Sequence, residues 1–211
     1  MFFDGDLKEL GNSAFAGKTQ LKNITFPKTL STLGSNVFEG CTSLSTLDFT
    51  HTLITALPSE AFKGCTNLTD LKIPNNIVSL GDGFLSGTNI TRFTIPSGVN
   101  SLTKQTFLGS NISEISVNNL NQTYDSRNEC NAVIHSKSDT LMLGFSGSTV
   151  PATVTRIGQE AFSETNIQQV DLQNVQKVED KAFLNCTQLS TVTAETTTDF
   201  GNQVFEGCTS L

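Results

Sequence analysis

The chain has 211 residues, 36% of them apolar, and a formal charge of −7 from 13 basic and 20 acidic side chains. That acidity argues against the partners that need a basic surface, nucleic acid and anionic membrane. The apolar fraction suffices for one continuous core, and no run of about eighteen apolar residues is present to cross a bilayer. Met1-Phe2-Phe3-Asp4 has neither the basic nor the apolar region of a signal peptide, so a leader is not part of this chain. Both ends read as cut: the first repeat is partial, and the last breaks off at Leu211.

In chain order, the same pattern returns seven times. Leu21/Ile24/Phe26, Leu44/Leu47/Phe49, Leu68/Leu71/Ile73, Ile90/Phe93/Ile95, Ile112/Ile115/Val117, Ile167/Val170/Leu172 and Leu189/Val192/Ala194 all read L-x-x-I-x-I. Alternation over the last three core positions predicts a short strand with one face buried. After several of these comes a second extended piece, V-x-x-I-G, as in Leu30/Leu33-Gly34 and Val154/Ile157-Gly158. A tight turn, helical or 3₁₀, then carries a Phe inward: Phe15, Phe38, Phe62, Phe84, Phe107, Phe162, Phe183 and Phe205. Cys-Thr-x-Leu closes four of the coils, at Cys41, Cys65, Cys186 and Cys208, preceded by Gly in all but the third, where Asn185 stands. Self-similarity at this period is the signature of a leucine-rich repeat solenoid.

Between Phe107 and Phe162 the Phe ladder breaks. Val150-Pro151 matches Ile95-Pro96, so Val150 is expected to end a further strand. The last core residues are then spaced 23, 24, 22, 22, 33, 22 and 22 apart. The expected fold is a β-rich solenoid of about eight stacked coils of 22–24 residues, one of them enlarged to 33 by an insertion. The chain is expected to be a single domain over 1–211, with an irregular island at 118–149. Inside that island, two apolar runs flank Ser136-Lys137-Ser138-Asp139 and predict a β-hairpin replacing half a coil. Asp82-Gly83-Phe84 brings its Phe one residue early, and a local distortion is expected there.

These repeats resemble the BspA-like leucine-rich repeat family of surface proteins from Bacteroidetes and some protists. The I-G-x-x-A-F and G-C-T-x-L pieces carry the resemblance along the whole chain, and Tyr124-Asp125-Ser126-Arg127 with Cys130-Asn131-Ala132-Val133-Ile134 resembles the interruption common in Bacteroidetes members. The resemblance implies a secreted or surface-anchored protein, some relatives acting as adhesins for fibronectin, fibrinogen or other bacteria. It brings no shared catalytic or ligand-binding residue with it.

The chemistry-bearing residues fit that picture. The repeat cysteines occupy one repeat position, and with two histidines and no C-x-x-C they make a poor zinc site. Stacked buried thiols are the preferred reading, a Cys41–Cys65 bridge the alternative. No catalytic triad order, nucleophile elbow, H-E-x-x-H pair or phosphate loop occurs, so the chain reads as non-enzymatic and without cofactor. Asp125 and Arg127 read as a loop-fixing pair, and Cys130 as filler for the missing Phe. The outward positions of the first strands carry one dense charge cluster, Asp70, Lys72, Arg92 and Glu114. With the hairpin turn Ser136, Lys137, Ser138 and Asp139, it is the candidate partner-binding surface. The expected partner is a host matrix or bacterial surface protein, met outside the cell by a monomer. A structural spacer within a larger surface protein is the alternative. Asp139-Thr140-Leu141 resembles a short O-glycosylation pattern, and of the six N-x-[ST] sequons most arise from the repeat itself.

Overall fold

The computed structural model describes residues 5–197 and 199–211; Met1-Phe2-Phe3-Asp4, assessed above for a signal sequence, lie outside them. It is a β-solenoid of about nine turns with little helix. Its contacts divide the chain into two compact units, the first running to Arg92 and including Pro96–Ile112, the second Phe93–Ile95 with Ser113–Leu211.

In the first unit each coil contributes up to two very short strands. Thr46–Asp48 pairs in parallel with Asp70–Lys72, Leu47 opposite Leu71. On the second row, Glu9–Leu10 pairs with Thr32–Leu33, and Ala56–Leu57 with Ser79–Leu80. The isoleucine-glycine corner of the repeat has a steric cause. A Cβ on Gly81 would lie 2.2 Å from the backbone nitrogen of Ser59 in the preceding coil, so only glycine lets the coils approach.

Over the first coils the Phe ladder forms as expected. Phe15 stacks on Phe38 at 5.3 Å between ring centroids, and Phe38 on Phe62 at 6.0 Å. A second column, which the repeat pattern had shown only as strand ends, stacks beside it: Phe26 on Phe49 at 4.7 Å. The columns interlock, Phe26 meeting Phe38 edge-on at 6.0 Å. Phe26, Phe38, Phe49 and Phe62 are all buried. Each repeat thiol donates across to the previous coil, Cys41 Sγ to Phe15 O and Cys65 Sγ to Phe38 O, both at 3.0 Å. All five cysteines are unbridged and buried.

Two expectations change here. The Phe-bearing turns are mostly plain hydrogen-bonded turns; Lys104–Phe107 is the one among them that forms a 3₁₀ helix. The turn needs a left-handed residue, which is Asn36, Glu60, Glu160 or Lys181 with φ between 54° and 58°. Nor is the coil at Phe84 distorted. Phe38 N donates to Ala61 O, and Phe62 N donates to Phe84 O in the same way, so Phe84 occupies the alanine position and Leu85 the ladder position. Both are fully buried, so the two side chains exchange places while the backbone register continues.

In the second unit the hairpin exists as predicted. Ala132–His135 and Thr140–Gly144 pair antiparallel, with a register shift after Val133. Tyr124–Asp125 adds on one side, and Arg156–Ile157, Lys177–Val178 and Asp199–Phe200 continue in parallel on the other, giving a six-stranded sheet. The insertion is therefore a widened piece of the second row, with Val133, Ile134 and Leu141 fully buried. Phe162 stacks on Phe183 at 5.0 Å and Phe183 on Phe205 at 5.5 Å.

The vacant ladder position belongs to Gly144. Its N–H donates to Ala161 O just as a ladder Phe donates, and the Phe162 ring fills the space a side chain would need. Cys130 is buried nearby in the same core, with its thiol pushed up by burial. The strand expected to end at Val150 does not form; 145–150 is turn and irregular chain. The cause lies in the island, which holds this segment through Thr149 N to Cys130 O and Ser148 Oγ to Asn131 O.

Candidate functional site

The outward residues of the first-row strands are exposed in both units, as the alternation predicted. In the first unit, Asp70 and Lys72 lie on one strand with Lys72 Nζ 3.8 Å from the Asp70 carboxylate, each about half exposed. Arg92 is exposed and begins the next strand, Arg92–Ile95. Asp48, on the same row, is held below the usual carboxylate range by the Thr50 hydroxyl and amide. Glu114 is exposed at the start of Glu114–Val117 and belongs to the second unit.

The hairpin turn is anchored rather than projecting. Lys137 and Ser138 are exposed, while Ser136 and Asp139 are half-buried. Arg127 grips Asp125 with two hydrogen bonds, Nε at 2.8 Å and Nη2 at 2.7 Å, and reaches Asp139 through Nη1 at 2.7 Å. Asp139 O also accepts Thr155 N, Ser136 N donates to Thr123 O, and His135 Nδ1 meets Ser138 Oγ at 2.8 Å. Burial works to raise the Asp125 carboxyl, but hydrogen bonds from Arg127 and Ser136 bring it below its ordinary value. The Asp125 hydrogen bond, against partial burial and with help from Asp139, raises the Arg127 guanidinium in turn. The loop-fixing role read from the sequence is thus what this cluster does.

Three of the modification positions are engaged in the fold. Thr140 is buried in a strand with its hydroxyl against Ser138, so the O-glycosylation pattern is covered. Among the sequons, the Asn111 amide donates to Thr88 O, and Asn121 Oδ1 accepts from Thr123 and Tyr124 N–H.

One feature could not be read from the repeat. Beside Gln169–Asp171 lies an open groove of about 480 Å³, lined by Ser148, Thr149, Val150, Gln169, Asp171 and Thr193 among others. It depends on the missing strand at 145–150, which the matching Val150-Pro151 spacing had concealed. Among the described residues no cluster of His, Cys, Asp and Glu is arranged to hold a metal, and no helix is long and apolar enough to cross a membrane.

The family model for the BspA type leucine rich repeat region matches residues 2–126 and 143–211, with six copies. The chain belongs to this family. The unmatched stretch, 127–142, holds Arg127 of the clamp and most of the hairpin. BspA-type repeats form a repeat module, and the fold recurs in bacterial surface proteins. A leucine rich cell surface protein of Faecalibacterium prausnitzii aligns at TM-score 0.67 and 22% identity, over 97% of this chain and 63% of that one. A leucine-rich repeat protein of Eubacterium ventriosum gives 0.67 at 16% identity, over 92% and 59%. The pneumococcal vaccine antigen PcpA gives 0.65 at 14%, over 97% and 66%. The chain thus spans less than two thirds of each of these structures. No curated protein matches it.

Proposed function

We propose that this BspA-type module is a non-enzymatic, adhesin-like protein-binding unit working at the cell surface or outside the cell. Its partner would be a host matrix protein or another bacterial surface protein. The observation that carries this reading is the interruption itself. A regular solenoid presents averaged chemistry, whereas 127–142 departs from the family repeat and holds Lys137 and Ser138 out on a pinned turn. A turn fixed by Arg127 loses little freedom on binding, so contacts there keep more of their energy. The Asp70/Lys72 pair with Arg92 offers a second surface of mixed sign, worth about 0–1 kcal/mol per exposed pair. Glu114, exposed on a strand of the second unit, is a further candidate contact in its own right.

The spacer reading has its own support: the chain spans only part of the length of the similar leucine-rich repeat proteins. A pull-down of immobilised matrix proteins separates the two. Wild-type chain should capture a partner that Lys137→Glu releases. Shortening the turn is a poorer test, because it also removes the Asp139 end of the clamp. Capture of no matrix or surface protein by the wild-type chain favours the spacer.

A further inference from the structure

The strand Gln169–Asp171 belongs to a two-stranded sheet whose only other member is Thr191–Thr193. Ser190 N donates to Gln168 O, and Leu172 N donates to Thr193 O, so the even-numbered residues turn their backbone groups toward that partner. Alternation in a parallel pair then turns the N–H and C=O of Gln169 and Asp171 the other way. In the first unit the equivalent side is used: Phe49 N donates to Lys72 O at 2.8 Å. Here the counterpart would come from 146–150, and among the described residues no hydrogen bond joins that segment to Gln169 or Asp171. The island has taken it instead, through Thr149 N to Cys130 O and Ser148 Oγ to Asn131 O.

The same island covers the other exposed edge it creates. Asn131 Oδ1 accepts Ile115 N at 2.7 Å, and Ser126 Oγ accepts Val117 N at 3.0 Å, capping the Glu114–Val117 strand with side chains. Gln169–Asp171 receives no such cap. Its open edge faces the groove of about 480 Å³, whose floor and walls are hydroxyls, an amide and Val150 and Val170. Among the described lining residues Asp171 carries the one charge, and its carboxylate lies on the exposed face of the strand.

We infer that this groove binds an extended peptide segment, which adds as a strand to the open edge of Gln169–Asp171 and places a lysine or arginine beside Asp171. An unpaired edge is complementary to one thing above all, another extended backbone, and strand addition draws its affinity from those main-chain bonds. Three residues of edge, at about 3.3 Å each, register a partner segment of three to four residues. Apart from Asp171 the described groove side chains are uncharged, so selectivity falls to Asp171 and to the width left by Thr149 and Thr193. The inference rests on the protein-binding reading but names a different surface from the hairpin turn.

Hydrogen exchange on the unliganded chain is the first test. The Gln169 and Asp171 amides should exchange at least tenfold faster than that of Val170; equal protection of all three would mean the edge is already covered, and the inference falls. Next, a random heptapeptide library displayed on phage is panned against the full chain and the enriched peptides are synthesised. They should be rich in lysine and arginine, shift the Gln169 and Asp171 amide signals, and bind at least tenfold more weakly to Asp171→Lys. Asp171→Asn should fall between. Asp171 is exposed, so both variants keep the fold, checked by an unchanged melting temperature. No enrichment, or shifts confined to Lys137 and Ser138, overturns the site. Capture of an intact matrix protein that Lys137→Glu abolishes and Asp171→Lys leaves intact shows the hairpin turn to be the binding surface and overturns this site alone. Enrichment of basic peptides at Asp171 without any captured matrix protein upholds the groove and overturns the hairpin surface.

Discussion

Between Phe26 and Phe62 the core is closed by two columns of stacked rings, and no charged side chain takes part. Between Tyr124 and Gly144 it is closed by three antiparallel strands, with one arginine tying loop to turn. In the ring-stacked coils each residue is held by its copies one period away, so the structure tolerates a change of residue if volume is kept. Phe84 and Leu85 exchange places there without breaking the amide ladder. In the island each contact occurs once. One side chain, Asn131, serves both Ile115 N and Ser113 O, and one, Arg127, joins Asp125 to Asp139. Repetition gives redundancy; the insertion gives individuality, and with it a surface that a partner can distinguish.

The largest expected effect separates the centre of the ring stack from its edge. Phe62→Ala removes a fully buried ring that touches Phe38 and Phe49, and should cost roughly 3–5 kcal/mol in urea unfolding. Phe15, which stacks on Phe38, is only partly buried, so Phe15→Ala should cost clearly less. Because coils lean mainly on their neighbours, the central loss also divides the stack. Equal losses at the two positions would remove the nearest-neighbour account.

Next comes the seam where the island rejoins the ladder. Gly144→Ala sets a methyl against the Phe162 ring and should cost about 1–3 kcal/mol by overpacking. Gly147→Ala, whose Cβ would meet only Asn131 Nδ2 at 3.5 Å, should be nearly neutral. Adding Phe162→Leu to Gly144→Ala should recover part of the loss relative to Phe162→Leu alone. Absence of any coupling in that double-mutant cycle would place the strain elsewhere.

These two positions also mark how far the sequence could be read. The fold, the exposed row and the Phe ladder were legible because each is repeated, and a repeated residue identifies its own environment. Phe26 and Phe49 were visible as strand ends, but their stacking depends on the two columns meeting, which spacing along one column does not reveal. Gly144 and the groove beside Asp171 were hidden for a related reason. Each follows from which coil the island pairs with, a long-range choice made by Cys130, Asn131 and Ser148 rather than by any period. The Val150-Pro151 match was real in sequence and still gave no strand, since its expected neighbour had been replaced.

A smaller effect tests whether the island is held by its clamp. Hydrogen bonds to charged groups contribute about 1.5–3 kcal/mol, and partial exposure of Arg127 should lower Arg127→Ala to about 1–2 kcal/mol. Faster amide exchange should appear in 132–144 and not around Phe38. The folded Asp125 carboxyl lies below its ordinary value, so its contribution is present above the unfolded value of about 3.9 and is lost as pH falls through the lower folded one. The acid sensitivity of the hairpin should therefore vanish in Asp125→Asn. An unchanged acid midpoint there would assign the transition to another carboxylate.

The smallest effect belongs to the exposed charges, and it is what makes them useful. Lys72 lies 3.8 Å from Asp70, with both side chains half in water, so Lys72→Ala should change stability by about 0–1 kcal/mol and less in salt. Lys137→Glu, on an exposed position of the turn, should be similarly mild. With the fold unchanged, any loss of capture of a matrix protein reports directly on contact. Lys137 presents its charge from a pinned turn, whereas Lys72 shares its charge with a neighbouring carboxylate and offers a partner less net field. Lys137→Glu should thus weaken capture more than Lys72→Ala does, measured by surface plasmon resonance at physiological salt. The reverse order, with Arg92→Glu abolishing capture altogether, would move the binding surface onto the regular strands and leave the island a structural joint.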